Sequence, residues 1–258
     1  MSRSTFVNDT AVLTVRSLKH ITRSLDTIIT TLLLPIGFML LFVFVLGGAI
    51  DTHGFSGSYV DFLLPGILLI TVATGTSYTS YRLFLDLRTG ITERFQSMPI
   101  SRSSVLWAHV CTSLVATATS VTVVILVGLL VGFRTGASVL AWLAVAGIVA
   151  LFALALTWIA VIAGLIAKTP DGSGAFAYPL IFLPFISSAF VPTQSMPGPV
   201  RWFADNQPVT SIVNTIRALF TGQPVGGDIW IALAWLVGVL VIAYSVAMVA
   251  YRHRVTAG

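Results

Sequence analysis

The sequence predicts an all-α integral membrane protein with six membrane-spanning helices, and three observations carry that prediction. Only 9% of the 258 residues are charged and 56% are hydrophobic, with a mean hydropathy of +0.96; a soluble domain is about 25% charged. Six apolar runs each approach the roughly 20 residues a helix needs to cross about 30 Å of hydrocarbon. The Lys and Arg residues fall between those runs and not in their middles.

The runs are 27–49, 60–81, 104–132, 139–167, 175–194 and 229–250. The first starts after a polar segment and is too long for the apolar region of a cleaved leader, so no leader is expected. Orientation follows from the cations. Arg3, Arg16, Lys19, Arg23, Arg82, Arg88, Arg94, Arg102, Lys168, Arg252 and Arg254 fall on one side, and Arg134, Arg201 and Arg217 on the other. The richer side reads as cytoplasmic and holds both termini, which six crossings permit. The formal charge of +5 and pI near 9.8 therefore find their counter-charge in anionic lipid headgroups, and no nucleic-acid partner is expected. Residues 1–258 read as one transmembrane domain, with no repeat and no soluble module.

Three segments lie outside the spans. In 1–26, Val7, Ala11, Val15, Leu18, Ile21 and Leu25 recur at helical spacing while Arg16, Lys19 and Arg23 share another face. That is the pattern of an amphipathic helix lying in the membrane interface. In the external segment 192–228, Pro192, Pro197, Pro199 and Pro208 interrupt the chain. Between them Val209, Ile212, Val213, Ile216 and Leu219 make an apolar stripe on a helix about 18 Å long, too short to span. A re-entrant or interfacial helical hairpin is expected there.

The third segment, "RTGITERFQSMPISR", occupies 88–102. Ile91, Phe95 and Met98 form a stripe, Glu93, Arg94 and Gln96 lie off it, Gly90 permits a sharp entry, Thr89 or Thr92 can cap, and Pro99 ends the helix. From these residues alone, a cytosolic knob that docks a partner and a connector lying on headgroups fit equally well.

Several chemistries lack their signatures. No GxxxxGK[ST] phosphate loop occurs, and neither Lys19 nor Lys168 follows a glycine. His20, His53, His109 and His253 are scattered, no HExxH or CxxC is present, and Cys111 is the single cysteine. No carboxylate or histidine sits near a span midplane, where an ion-coupled carrier would need one. Hydroxyls do run through the spans, at Thr71, Thr74, Ser77 and Thr79 in the second and Ser187 and Ser188 in the fifth. They either return a hydrogen bond to their own helix or, with Phe185, wall a mostly apolar path. Pro35, Pro65, Pro179 and Pro184 are expected to kink spans one, two and five.

Two stretches resemble the ABC type-two exporter permeases, and more narrowly their daunorubicin-resistance type. In the first, Gly90, Glu93, Arg94, Pro99, Ser101 and Arg102 match. In the second, Phe190, Val191, Pro192, Met196, Pro197, Asn206, Pro208, Arg217 and Leu219 match in order, and "DFLLPGILL" at 61–69 fits the start of span two. The resemblance covers nearly the whole chain. It implies a permease subunit of an ATP-driven exporter, multi-pass in the cytoplasmic membrane of a bacterium. It makes Gly90, Ile91, Thr92, Glu93, Arg94, Phe95, Met98 and Pro99 (within 88–100) a coupling helix that docks on a separate ATPase. It further implies two ATPase copies, which bind ATP and Mg, and a second permease copy or paralogue. The chain itself then needs no cofactor and catalyses nothing. The solute would be a hydrophobic or amphipathic drug, antibiotic or lipid. A polysaccharide- or lipid-conjugate exporter permease is the alternative within the same superfamily. A secondary carrier or a lipid-modifying enzyme are the alternatives outside it.

Overall fold

The computed structural model describes residues 10, 14, 25–50, 55, 57–89 and 102–256. All regular structure among them is helical. Helix α1 spans Leu25–Leu40 and runs on as a π-helical turn, Leu41–Leu46. Then follow α2 (Tyr59–Arg88), α3 (Arg102–Val131), α4 (Val139–Ile166), α5 (Pro170–Gly174), α6 (Ala177–Phe182), α7 (Gly198–Asn206), α8 (Pro208–Thr221) and α9 (Asp228–Thr256). Four helical stretches are long and apolar enough to cross a membrane: Tyr59–Arg88, Leu106–Val131, Val139–Ile166 and Asp228–Tyr251.

Helix α2 is the hub. In its most apolar stretch 83% of residues are buried, against 22% for α3 and for α9. Its buried Leu63, Leu64, Ile67, Leu68 and Ile70 pack with Met39 of α1, Val145 and Phe152 of α4, and Ile212 and Ile216 of α8. A second core, nearer the end of α2, joins Leu83, Leu106, Trp158, Val161, Ala243 and Tyr251. Close backbone approaches fix these contacts. A Cβ added at Gly164 of α4 would stand 2.8 Å from the Ser80 carbonyl, and one at Gly66 would stand 2.6 Å from Ala189 Cβ.

Local chemistry sets the boundaries. Ser58 and Asp61 form a reciprocal capping box at the start of α2. Ser138 caps α4 by accepting from Ala141 N–H. Gly132, at φ +118, ends α3 while the Phe133 N–H reaches back to the Gly128 carbonyl. Gly222, at φ +68, ends α8 in the left-handed region open to glycine.

Two sequence expectations change. The second span does not stop at 81; α2 continues about two turns to Arg88, so Arg82 and Asp86 are helical residues and not part of a loop. The expected fifth span, 175–194, is not one helix. It is α6, then a 3-10 turn at Leu183–Ile186, then an extended Ser187. Pro184 has no N–H to donate and its ring collides with a helical carbonyl four residues back, and the Ser187 hydroxyl closes the break by bonding the Pro184 carbonyl at 2.6 Å. The turn before it and the broken segment nevertheless run along nearly half of α2. Ser80 meets Ser173 at one end and Gly66 meets Ala189 at the other, which is about 21 Å along the helix at 1.5 Å per residue. The expected N-terminal amphipathic helix lies outside the described residues, apart from Thr10 and Thr14.

Candidate functional site: two polar nodes on α2

The polar side chains of the helix bundle gather at the two ends of α2. The first node sits where α2 and α3 approach the segment 90–101. There Asp86 of α2 lies 3.2 Å from His109 Nε2 of α3. One turn deeper, Thr79 donates to Ser113 at 2.8 Å, and Ser113 and Thr157 share a hydrogen bond at 3.2 Å. Thr157 in turn donates to the Ala153 carbonyl. These contacts tie α2 to α3 and α3 to α4. The Arg82 guanidinium lies beside the Tyr78 ring, and its Nη1 is buried with no hydrogen-bond partner among the described residues. The two helices flanking 90–101 therefore leave the bundle from a fixed base. Gly90, Ile91, Thr92, Glu93, Arg94, Phe95, Met98 and Pro99 themselves lie outside the described residues.

The second node is built by the proline-broken segment 192–228. Pro208 starts α8, and Gln207 caps it by accepting from Val209 N–H while donating to the Ile186 carbonyl. The expected stripe is real: Val209, Ile212, Val213 and Ile216 are buried and Leu219 packs against them. On the flank of that stripe Arg217 is largely buried. It donates to the Phe62 carbonyl from Nε (3.1 Å) and Nη2 (2.9 Å), and to the Ser188 carbonyl at 2.6 Å. Its guanidinium lies 3.8 Å from the Phe62 ring centroid. Asn214 accepts from Arg217 and from the Ser188 hydroxyl, and donates to Asp228 at the start of α9. Burial pushes the Arg217 guanidinium down to about 9, so it remains a cation at neutral pH. One side chain thus joins α2, the broken segment and α8, and reaches α9 through Asn214. Nearby, Tyr59 donates to the Phe190 carbonyl, Asp61 accepts from Arg134 N–H, and Thr135 donates to the Phe220 carbonyl.

Between the nodes the surfaces are apolar. Phe38 of α1 and Phe42 of the π-helical turn pack against Phe185 of the broken segment, Phe185 also meets Phe182 and Phe190, and Phe42 stacks on Phe190 at 4.6 Å. Helices α3 and α4 part to leave a groove of about 580 Å³ floored by Leu68 and walled by Val121, Ile125, Trp142, Val145 and Val149.

The structure separates the residues expected to wall a path. Thr71 and Thr74 bond their own helix, at the Ile67 and Ile70 carbonyls. Ser77 faces the Gly174 carbonyl at 3.4 Å, Phe185 belongs to the aromatic stack, and Ser188 belongs to the second node. None of the five lines the α3–α4 groove. Sequence reasoning passed over the role of Arg217, Asn214 and Asp228, and of the Asp86–His109 pair. The usable signal was a lone arginine beside an apolar stripe, since a largely buried cation must find carbonyls, a carboxylate or a ring face.

Among the described residues the chain is an all-helical bundle with four helices long and apolar enough to cross a membrane, which is the class of an integral membrane protein. The chain belongs to the ABC-2 type transporter family, whose model matches residues 8–221. It is 26% identical over 228 residues to the daunorubicin resistance ABC transporter permease protein DrrB1 of Streptomyces coeruleorubidus, covering 88% of this chain and 80% of that one. It is 28% identical over 256 residues to the probable doxorubicin resistance ABC transporter permease protein DrrC of Mycobacterium tuberculosis, covering 97% and 91%. The chain is a membrane-embedded permease subunit of an ABC exporter, and its partner is an ATPase.

Proposed function

We propose that this permease carries hydrophobic or amphipathic drugs outward across the cytoplasmic membrane, worked by an ATPase that docks on residues 90–99. The observation that carries this is the fixed base beneath that segment. A displacement that reaches the ends of α2 and α3 is passed to the bundle, because Asp86–His109 and Thr79–Ser113–Thr157 bind these two helices to each other and to α4. In this reading Ile91, Phe95 and Met98 fill a cleft on the ATPase, Glu93 and Arg94 add polar contacts, and Gly90, Thr92 and Pro99 shape the helix. Two ATPase copies bind ATP and Mg, and two permease subunits share the path, with both termini cytoplasmic. Six crossings are completed by α1 and the broken segment, the latter supported by its course along α2. The 192–228 hairpin then sits at the external mouth. The drug-resistance names of the relatives and the apolar surfaces between the nodes support the solute class. Of the expected path residues, Phe185 and Ser188 lie on the broken segment and are the ones this reading retains.

Replacing Phe95 with Asp tests the coupling. The variant should insert in the membrane yet lose the ATPase in co-purification. Retained ATPase together with full ATP-driven drug transport would defeat the docking assignment.

A further inference from the structure

The turn between α4 and α6 has no part in the function just described, yet it is built with more care than a connector needs. We propose that the turn 167–174 is a second transmission element: it moves as one body with the cytoplasmic half of α2 and passes that motion straight to the broken segment 177–190. Ser80 and Arg88 are its positioning residues. This rests on the exporter reading above.

Three contacts fasten the turn to α2. The Ser80 hydroxyl donates to the Ser173 carbonyl at 2.6 Å, with both residues fully buried. The Ser77 hydroxyl donates to the Gly174 carbonyl at 3.4 Å. Arg88 Nη2 donates to the Lys168 carbonyl at 3.0 Å, and the Arg88 guanidinium lies over the Phe84 ring. Positions 77, 80, 84 and 88 recur at three- and four-residue steps, so all lie on one stripe of α2, about 16 Å long. The backbones also touch. A Cβ at Gly174 would stand 2.9 Å from Ser77 Oγ, and the one at Gly164 would stand 2.8 Å from the Ser80 carbonyl.

The turn is internally stiff. Thr169 caps the Gly172 N–H at 3.1 Å, Pro170 fixes the first helical position, and the Ser173 hydroxyl closes on the Pro170 carbonyl. A stiff body fastened at three points along a helix follows that helix. The far end of the broken segment is fastened to α2 as well, through Tyr59 to the Phe190 carbonyl and through Arg217, which spans the Phe62 and Ser188 carbonyls. The chain from 167 to 190 is therefore a strap held at both ends and broken in the middle, at Pro184 and Ser187. Tilting α2 carries the lower end with it, and the strain falls on the 3-10 turn that holds Phe185 against Phe38 and Phe42.

The experiment uses the whole exporter, permease with ATPase, in proteoliposomes, measuring drug moved per ATP hydrolysed. Two arms are compared with the parent. In the first, the double variant Ser80→Ala with Arg88→Ala removes the fastening. ATPase assembly and hydrolysis should persist while drug moved per ATP falls about tenfold, and restoring Arg88→Lys in place of Ala should recover part of it. A purely structural role would lower the yield of complex and leave that ratio unchanged, which overturns the proposal. In the second arm, Ser77→Cys with Gly174→Cys, in a Cys111→Ala background, locks turn to helix by a disulfide within bonding reach. Transport should stay within about twofold of the reduced form, since a rigid body loses nothing on cross-linking. Arrest on oxidation, relieved by reductant, means that the turn must part from α2 and overturns the proposal. If the parent exporter shows no ATP-dependent drug movement, the exporter reading itself fails, and that result is distinct from either arm.

Discussion

Replacing Arg217 by Met removes the one side chain that joins three elements at the second node, and its cost can be worked from the geometry. Arg217 makes close hydrogen bonds to the carbonyls of Phe62 and Ser188 and covers the Phe62 ring. Each bond from a charged donor contributes about 1.5–3 kcal/mol, and the ring contact about 1 kcal/mol. Against these stands the desolvation of the guanidinium, which costs several kcal/mol and shows itself in the lowered pKa. Met removes both sides of that balance but leaves two carbonyls without donors, at about 1–3 kcal/mol each. The net expectation is a loss of about 2–4 kcal/mol. For a chain of this size that lowers the melting temperature of purified protein by about 5–12 °C. Arg217→Lys should lose roughly half as much, because an ammonium on a flexible stem reaches one carbonyl and cannot lie flat on the ring. Drug transport should fall with Met even at temperatures where the protein is folded, since the broken segment loses its external anchor. If Arg217→Met melts within about 2 °C of the parent and exports normally, the desolvation cost has cancelled the bonds and the node is not an anchor.

Gly164→Val should destabilise by about 1–3 kcal/mol, since its Cβ meets the Ser80 carbonyl at 2.8 Å and Leu83 at 3.2 Å. Gly147→Ala on the same helix, where nothing lies within 4 Å, should be neutral or slightly stabilising; the paired melting curves check both. Ser113→Ala and Thr157→Val should each cost about 1 kcal/mol, and the double-mutant cycle should show a coupling of about 0.5–1.5 kcal/mol if their shared hydrogen bond ties α3 to α4. Phe95→Asp should abolish ATPase co-purification without altering the melting of the bundle.

The long helices were legible because their cause is local. Twenty apolar residues with no charge admit little else in lipid, and α3 and α4 begin and end close to the expected positions, while α9 begins as expected and runs on past 250 to Thr256. The stripe of α8 was legible for the same reason, through its periodicity. What escaped depends on distant partners. The end of α2 was misplaced because Arg82 and Asp86 look like loop residues until Tyr78 and His109 are seen beside them. The fifth span carried three prolines, and composition alone does not say whether proline kinks a helix or breaks it; here the Ser187 hydroxyl and the Arg217 guanidinium satisfy the carbonyls that the break releases. Arg217 itself carried a motif match with no physics attached, because the carbonyl it serves belongs to Phe62, 155 positions away.

That pairing of a broken helix with a buried cation has a mechanical consequence. Backbone carbonyls released in lipid are costly unless something covers them, and at the break Arg217 and Gln207 cover those of Ser188 and Ile186. In the export cycle proposed above, the segment would take a second arrangement in which donors again cover these carbonyls. In that cycle an ATPase acting through α2 would need only to bind one arrangement better than the other. A shift from mostly one to mostly the other takes about 5.5 kcal/mol of differential binding. A straight, fully bonded fifth helix would have to break several backbone hydrogen bonds in lipid to respond, and the existing break removes that barrier in advance.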